Sequence, residues 1–263
     1  MKYNDLIKYF LLFIINILIA ATSFGATIDL LIVYDTTAKT WVDSNGGMSV
    51  FSQQAVDKLN QAMTNSNISL TFRLAYTSNV SYTHSNFPTI QAGLSNDLDD
   101  LQAGTGGLAT AHTWRNTYGA DMVAMFVDTG QDYGYVGMGY ELSNPSGSPN
   151  YAFNVDNIRN VLSGHTLTHE LGHNFGAGHS KYQTQQTGPG IFSYSAGWYF
   201  NGTNSVAYHT IMAYNTDGYG ISYTEAPLFS TPLLSHQGTV SGSATDGDNA
   251  RTLRETMDVV AAY

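Results

Sequence analysis

Histidines at 169, 173 and 179, with Glu170 and Gly176 between them, are the residues of this chain whose types and spacing carry the most direct chemistry. A helix from about Ser163 to Asn174 would put His169 and His173 one turn apart on one face, where their rings can converge on a single ion. Glu170 cannot readily share that ion with both rings. It can instead reach a water held there, which is the place of a general base. Gly176 tolerates a left-handed turn at the helix end, and such a turn lets His179 swing round as a third ligand. Three neutral imidazoles without a thiolate suit zinc, and a fourth position left to water is the mark of a catalytic site. Such a water has a pKa of roughly 7 and becomes a nucleophile at neutral pH.

His165 offers a rival register, because it lies four residues before His169. His165 and His173, however, would be two turns, roughly 11 Å, apart along the axis, so one ion cannot take all three. Only the later pair has a glutamate between its histidines and a glycine turn after it. His165 is therefore expected to play a structural or supporting part.

The run His169–Glu170–Leu171–Gly172–His173–Asn174–Phe175–Gly176–Ala177–Gly178–His179 resembles the extended zinc motif of the metzincin metalloproteases. That clan places a methionine turn beneath the metal, and His209–Thr210–Ile211–Met212–Ala213–Tyr214 is similar to it. Across Thr27 to Tyr263 the chain looks most like the reprolysin-like bacterial branch, which includes the peptidyl-Asp metallopeptidases. The resemblance implies a zinc metalloendopeptidase with zinc on His169, His173 and His179, Glu170 as base, and Met212 as a hydrophobic floor. Tyr214, two residues past the methionine, resembles the tyrosine of astacins and serralysins that can touch zinc or the oxyanion. A catalytic part and a cleft-lining part both stay open for it. His209 could also face the cleft. If the likeness extends to specificity, Lys181 is a basic group that could meet an acidic substrate side chain. Unlike the animal reprolysins, this chain has no cysteine, which also excludes latency through an intrachain thiolate.

The elements that must hold these residues follow from pattern. Thr27–Tyr34 reads as a buried first strand. Val50, Phe51, Ala55, Leu59 and Met63 recur at helical spacing, and Ile68, Leu70, Phe72 and Leu74 alternate as a half-buried strand. Asp97–Leu101 is expected as a short acidic helical turn with solvated charges, and Leu108–Tyr118 as a helix in which His112 is not a ligand. Ala120–Asp128 is the apolar run of a central strand. Asp132–Tyr140 matches, by resemblance, an edge strand bordering the cleft, and Tyr151–Val155 a further short strand. Ser163 is a suitable N-cap for the histidine helix. Ser180–Gly247, rich in Gly, Ser, Thr, Asn and Tyr, predicts an irregular lower lobe, and Leu253, Met257, Val260 and Ala261 a C-terminal helix. The expected fold is α/β (α+β): a metzincin-like catalytic domain over 26–263, with a twisted, mostly parallel sheet and helices above and a small irregular lobe below.

Composition limits the partners. A chain of 263 residues, 43% hydrophobic, can bury one substantial core. Its net charge of −10 removes the phosphate attraction on which nucleic-acid and anionic-membrane binding depend. A protein or peptide substrate and a monomeric enzyme are expected. Lys2 and Lys8 before the apolar run Tyr9–Ala21, with Ser23 and Gly25 at the positions a signal peptidase reads, predict a signal peptide over 1–25 and a secreted or periplasmic protein. Without disulfides, stability must come from packing and bound ions. Calcium is a second candidate ion, with Asp128, Asp132, Asp217, Asp246 and Asp248 as candidate ligands, none at a recognisable loop spacing. The rival readings are a zinc-stabilised binding or adhesin module without turnover and a narrow-specificity effector protease. An intact Glu170 argues against the first.

Overall fold

The computed structural model describes residues 25–84, 87–130 and 134–263; the expected signal peptide lies, but for Gly25, outside them. The upper lobe is one five-stranded sheet in the order β2-β1-β3-β5-β4. Its strands are β1 (Ala26–Tyr34), β2 (Leu70–Asn79), β3 (Met122–Val127), β4 (Gly137–Gly139) and β5 (Phe153–Asn157). The first three and β5 pair in parallel, and β4 pairs antiparallel with β5 at the edge. Every residue of β3 is buried, as an unbroken apolar run covered on both faces requires.

The helices α1 (Thr36–Asp43), α2 (Met48–Asn65), α3 (Ile90–Ala103), α4 (Ala109–Tyr118), α5 (Ile158–Val161), α6 (Thr166–Asn174) and α7 (Asn249–Val260) divide between the two faces. One core joins Ile28, Leu30 and Ile32 of β1 to Leu59 of α2, Leu167 and Leu171 of α6, and Leu253 of α7. The other joins Leu31 and Val33 to Leu94, Leu98 and Leu101 of α3. Alternate side chains of one strand thus serve both cores. The lower lobe holds a three-stranded sheet, β6 (Tyr199–Asn201), β7 (Ala207–Thr210) and β8 (Thr224–Ala226), and the hairpin β9 (Thr231–His236) and β10 (Thr239–Ser241). It has only a small apolar cluster of its own and lends Ile211, Met212 and Phe229 to the larger core.

Four local expectations are corrected. The acidic segment at 97–101 belongs to the 14-residue helix α3. Asp97 is wholly buried rather than solvated, accepting from the Tyr82 hydroxyl (2.7 Å) and contacting Nδ1 of His84. Ser163 does not cap α6; its hydroxyl turns back to the carbonyl of Arg159, and His165 occupies the cap position. The described calcium candidates do not gather. Asp128 pairs with Arg159, Asp246 with Lys181, Asp248 caps α7, and Asp217 takes backbone N–H groups of its own loop. Asp132 lies outside the described residues. Lys181, held by Asp246 at 3.1 Å, is not among the residues that line the cleft. His112 donates from Nε2 to the Leu101 carbonyl (2.7 Å), in keeping with its exclusion as a ligand. Among the described residues no helix is long and apolar enough to cross a membrane.

Candidate metal centre and cleft

Helix α6 carries His169 and His173 on one face and ends where the third histidine needs it to. Gly176 adopts φ +86°, its N–H bonds the His173 carbonyl (2.8 Å), and the N–H of Ala177 bonds the Gly172 carbonyl (2.9 Å). These two bonds close a left-handed helix terminus that satisfies carbonyls the helix cannot. The chain then turns so that His179 faces the helix. Asn249, at the start of α7, grips that turn with its side chain, donating to the Gly178 carbonyl and accepting from its N–H. Asn174 ties the helix to the sheet, donating to the carbonyls of Tyr140 (2.8 Å) and Phe153 (3.0 Å).

The hydrogen bonds of the three rings assign their tautomers. Nδ1 of His169 lies 2.8 Å from the Ile211 carbonyl, Nδ1 of His173 3.0 Å from that of Ala177, and Nδ1 of His179 2.8 Å from that of Gln186. A carbonyl only accepts, so each Nδ1 carries the proton and each Nε2 of a neutral ring presents a lone pair. Those lone pairs face each other: Nε2 of His179 is 3.0 Å from that of His169 and 3.1 Å from that of His173. Three acceptors at such distances repel unless a cation lies between them. The donor set therefore fits a divalent ion such as zinc, with second-sphere carbonyls fixing each ring as metal-binding histidines require. Burial favours the neutral rings: it lowers the pKa of His169, takes His173 well below its usual value together with the charges of its two neighbours, and brings His179 to about 3. Among the described residues this is the one group of three or more such side chains close enough to hold an ion.

Met212 is fully buried under α6, and its Sδ lies 2.6 Å from where a Cβ at Gly172 would stand. It packs there as part of the larger core. Glu170 is buried on the other side of the helix, against β4. Burial first, and the nearby Asp156 carboxyl second, push its pKa well above the usual carboxylate range, against the pull of the Gly139 N–H.

The three histidines and Glu170 line a cavity of about 760 Å³, together with Gly137, Tyr214, His209 and Glu225. Tyr214 lays its ring 4.7 Å from that of His179 and donates its hydroxyl to Oε1 of Gln186 (2.6 Å). His165 contacts Glu225 through Nδ1, and His209 is the ladder neighbour of Glu225, so both line the cleft wall without joining the three-ring group. The sequence reading missed Asn174, Gln186 and Asn249. A polar residue just past a helix histidine was the available signal for the first; Gln186 and Asn249 act through contacts to or from the main chain, 7 and 71 residues away, that leave no pattern.

A family model described as Metallo-peptidase family M12 matches residues 25–230. The chain is 30% identical over 251 residues to a peptidyl-Asp metalloendopeptidase of Stenotrophomonas maltophilia, covering 95% of this chain and 55% of the relative. It is 28% identical over 246 residues to the protein so named in Xanthomonas campestris pv. campestris (93% and 53%). A third, in Pseudomonas aeruginosa, is 26% identical over 232 residues (82% and 36%). The chain thus spans about half the length, or less, of these curated relatives. A chain of a solved structure described as "Structure of a chaperone-substrate complex" shares the fold, with a TM-score of 0.60 at 19% identity, over 91% of this chain and 35% of that one. Since the family match runs from the first strand of the sheet through the histidine helix and the methionine turn, this chain belongs to metallopeptidase family M12, in its reprolysin-like branch.

Proposed function

We propose that the protein is an exported zinc-dependent endopeptidase, with His169, His173 and His179 as the metal ligands and Glu170 as the general base. The observation that carries the reading is the convergence of three Nε2 lone pairs, each ring fixed through Nδ1 by a main-chain carbonyl. When bound, zinc supplies Lewis acidity, which makes water nucleophilic near neutral pH and polarises a carbonyl. Glu170, beside His169 and facing the same cavity, accepts the proton of the attacking water and returns it to the leaving amine. Strand β4 is the last strand of its sheet and lines the cleft, so an extended peptide can be held there through its main chain. Such a grip captures no chain end, which favours internal cleavage. Tyr214, its ring 4.7 Å from that of His179, covers the centre and donates to a substrate carbonyl once its hydroxyl leaves Gln186. The names of the relatives make aspartate the first residue to test beside the scissile bond.

Purified protein incubated with casein and with a peptide library is expected to cleave both, to lose activity with a chelator and to regain it with zinc. Absence of chelator-sensitive cleavage in both substrates would rule the reading out in favour of a metal-stabilised binding module.

A further inference from the structure

Gln186 joins two parts of the site through its main chain and its side chain. Its carbonyl accepts from Nδ1 of His179 at 2.8 Å, while its side-chain Oε1 accepts the Tyr214 hydroxyl at 2.6 Å. The rings of Tyr214 and His179 are themselves 4.7 Å apart. Three residues from two separate segments thus form a closed triangle with two hydrogen bonds and one ring contact as its sides. The backbone of Gln186 is left-handed, φ +45°, a region where residues other than glycine sit under strain and persist only when their surroundings hold them. The surroundings do hold it. Gln183 donates to the carbonyl of Gln185 (2.8 Å) and accepts from the backbone N–H of Tyr214 (3.2 Å), and Gly188 closes the loop onto the Ser180 carbonyl (3.2 Å).

We propose that Gln186 is a positioning residue that couples the third metal ligand to Tyr214, so that the grip of His179 on the ion depends on where the tyrosine hydroxyl is docked. The orientation of a metal-binding imidazole is set by the acceptor on its other nitrogen. Here that acceptor belongs to the residue whose side chain anchors the phenol. A substrate that draws Tyr214 off Gln186 loosens the strained turn and, through it, the His179 ring. The inference rests on the three histidines as a metal site, and not on the reaction carried out there.

A double-mutant cycle on zinc affinity tests it, using the full chain and competition with a chromophoric chelator, so that no turnover is read. Gln186→Gly keeps the left-handed backbone and the carbonyl but deletes the anchor; Tyr214→Phe deletes the donor. Each alone is expected to weaken zinc binding by roughly fivefold, below the ~10- to 100-fold seen when such a histidine loses its own partner, because the bond to the carbonyl is kept. The double variant is expected to be no weaker than the worse single one, as for two halves of one contact. Affinities within about twofold of the parent in either single variant, or losses that multiply in the double, overturn the coupling. Thermal unfolding of the metal-free proteins checks that the variants fold. Gln186→Asn, which also tolerates the left-handed region but falls one methylene short of Tyr214, replaces the glycine variant if that one does not fold.

Discussion

A Cβ on Gly137 would stand 2.6 Å from Oε1 of Glu170 and 2.7 Å from its Cγ. The glycine therefore leaves the room in which the carboxylate sits, and its neighbour in the strand, Gly139, does the same for the main-chain carbonyl of Glu170 at 2.7 Å. Gly137→Ala is expected to push the carboxylate out of place without touching a histidine. A displacement of about 1 Å at such a group costs on the order of 10²-fold in rate. The variant should hold its zinc, measured by elemental analysis, while kcat/KM falls by about that factor. Full activity in Gly137→Ala would mean that Glu170 has freedom the geometry denies it.

Glu170→Gln tests the proposed base apart from the metal site. The amide has nearly the shape of the acid but takes up no proton, and Glu170 makes no hydrogen bond to any of the three rings. Zinc affinity should stay near that of the parent, with kcat lower by roughly 10²–10⁴-fold, the range for loss of a general base. Retained turnover would transfer the proton to another group. Loss of zinc in this variant would instead give Glu170 a part in building the site.

The centre was legible in the sequence because its logic is local. Two histidines at helical spacing, a glutamate between them and a glycine at the left-handed turn all act within eleven residues. Most strands of the upper sheet were legible for the same reason, in runs such as β3, buried along its whole length. What failed depends on neighbours distant in the chain. Asp97 looked like one of a solvated acidic run, and is buried because Tyr82 and His84 cross over it. Helix α1 went unnoticed since only Ala38 and Val42 of its eight residues are buried, too few to set a period. Ser163 has the right type for a cap but spends its hydroxyl on the helix before. Nothing nearby in the chain gives the glycines of β4 a purpose; it comes only with Glu170, 33 and 31 positions further along, packed against them.

Gly172, inside the histidine helix, is the point where the helix rests on the methionine turn. A Cβ there would meet Sδ of Met212 at 2.6 Å and Cε1 of Phe229 at 3.1 Å, and both side chains are fully buried. Glycine is normally a liability within a helix, so alanine would stabilise a free one. Here overpacking should prevail, with Gly172→Ala destabilising by about 1–3 kcal/mol. Denaturant unfolding of the metal-free protein measures this without interference from zinc. A rise in stability would show that Met212 can move aside at little cost, and that the floor is softer than its burial indicates.

Asp128 and Arg159 link the end of the central strand β3 to the short helix that precedes the histidine helix. Nε and one terminal nitrogen of Arg159 reach the two carboxylate oxygens at 2.6 and 2.9 Å, and the Gly130 N–H adds a third bond at 2.9 Å. Burial alone would raise the pKa of Asp128. The hydrogen bonds from Arg159 and Gly130 and the charge of Arg159 outweigh it, and the net shift is downward. A depressed folded-state pKa stabilises the fold above the unfolded value, about 3.9, and that contribution fades as pH falls through the lower folded value. Asp128→Asn removes the titration along with the charge. Its melting temperature should lie below that of the parent at pH 6, and the gap should shrink as pH is taken from 6 down past about 4. A gap that stays constant across that range would show that Asp128 contributes through its shape and neutral hydrogen bonds, with no share for its ionised form.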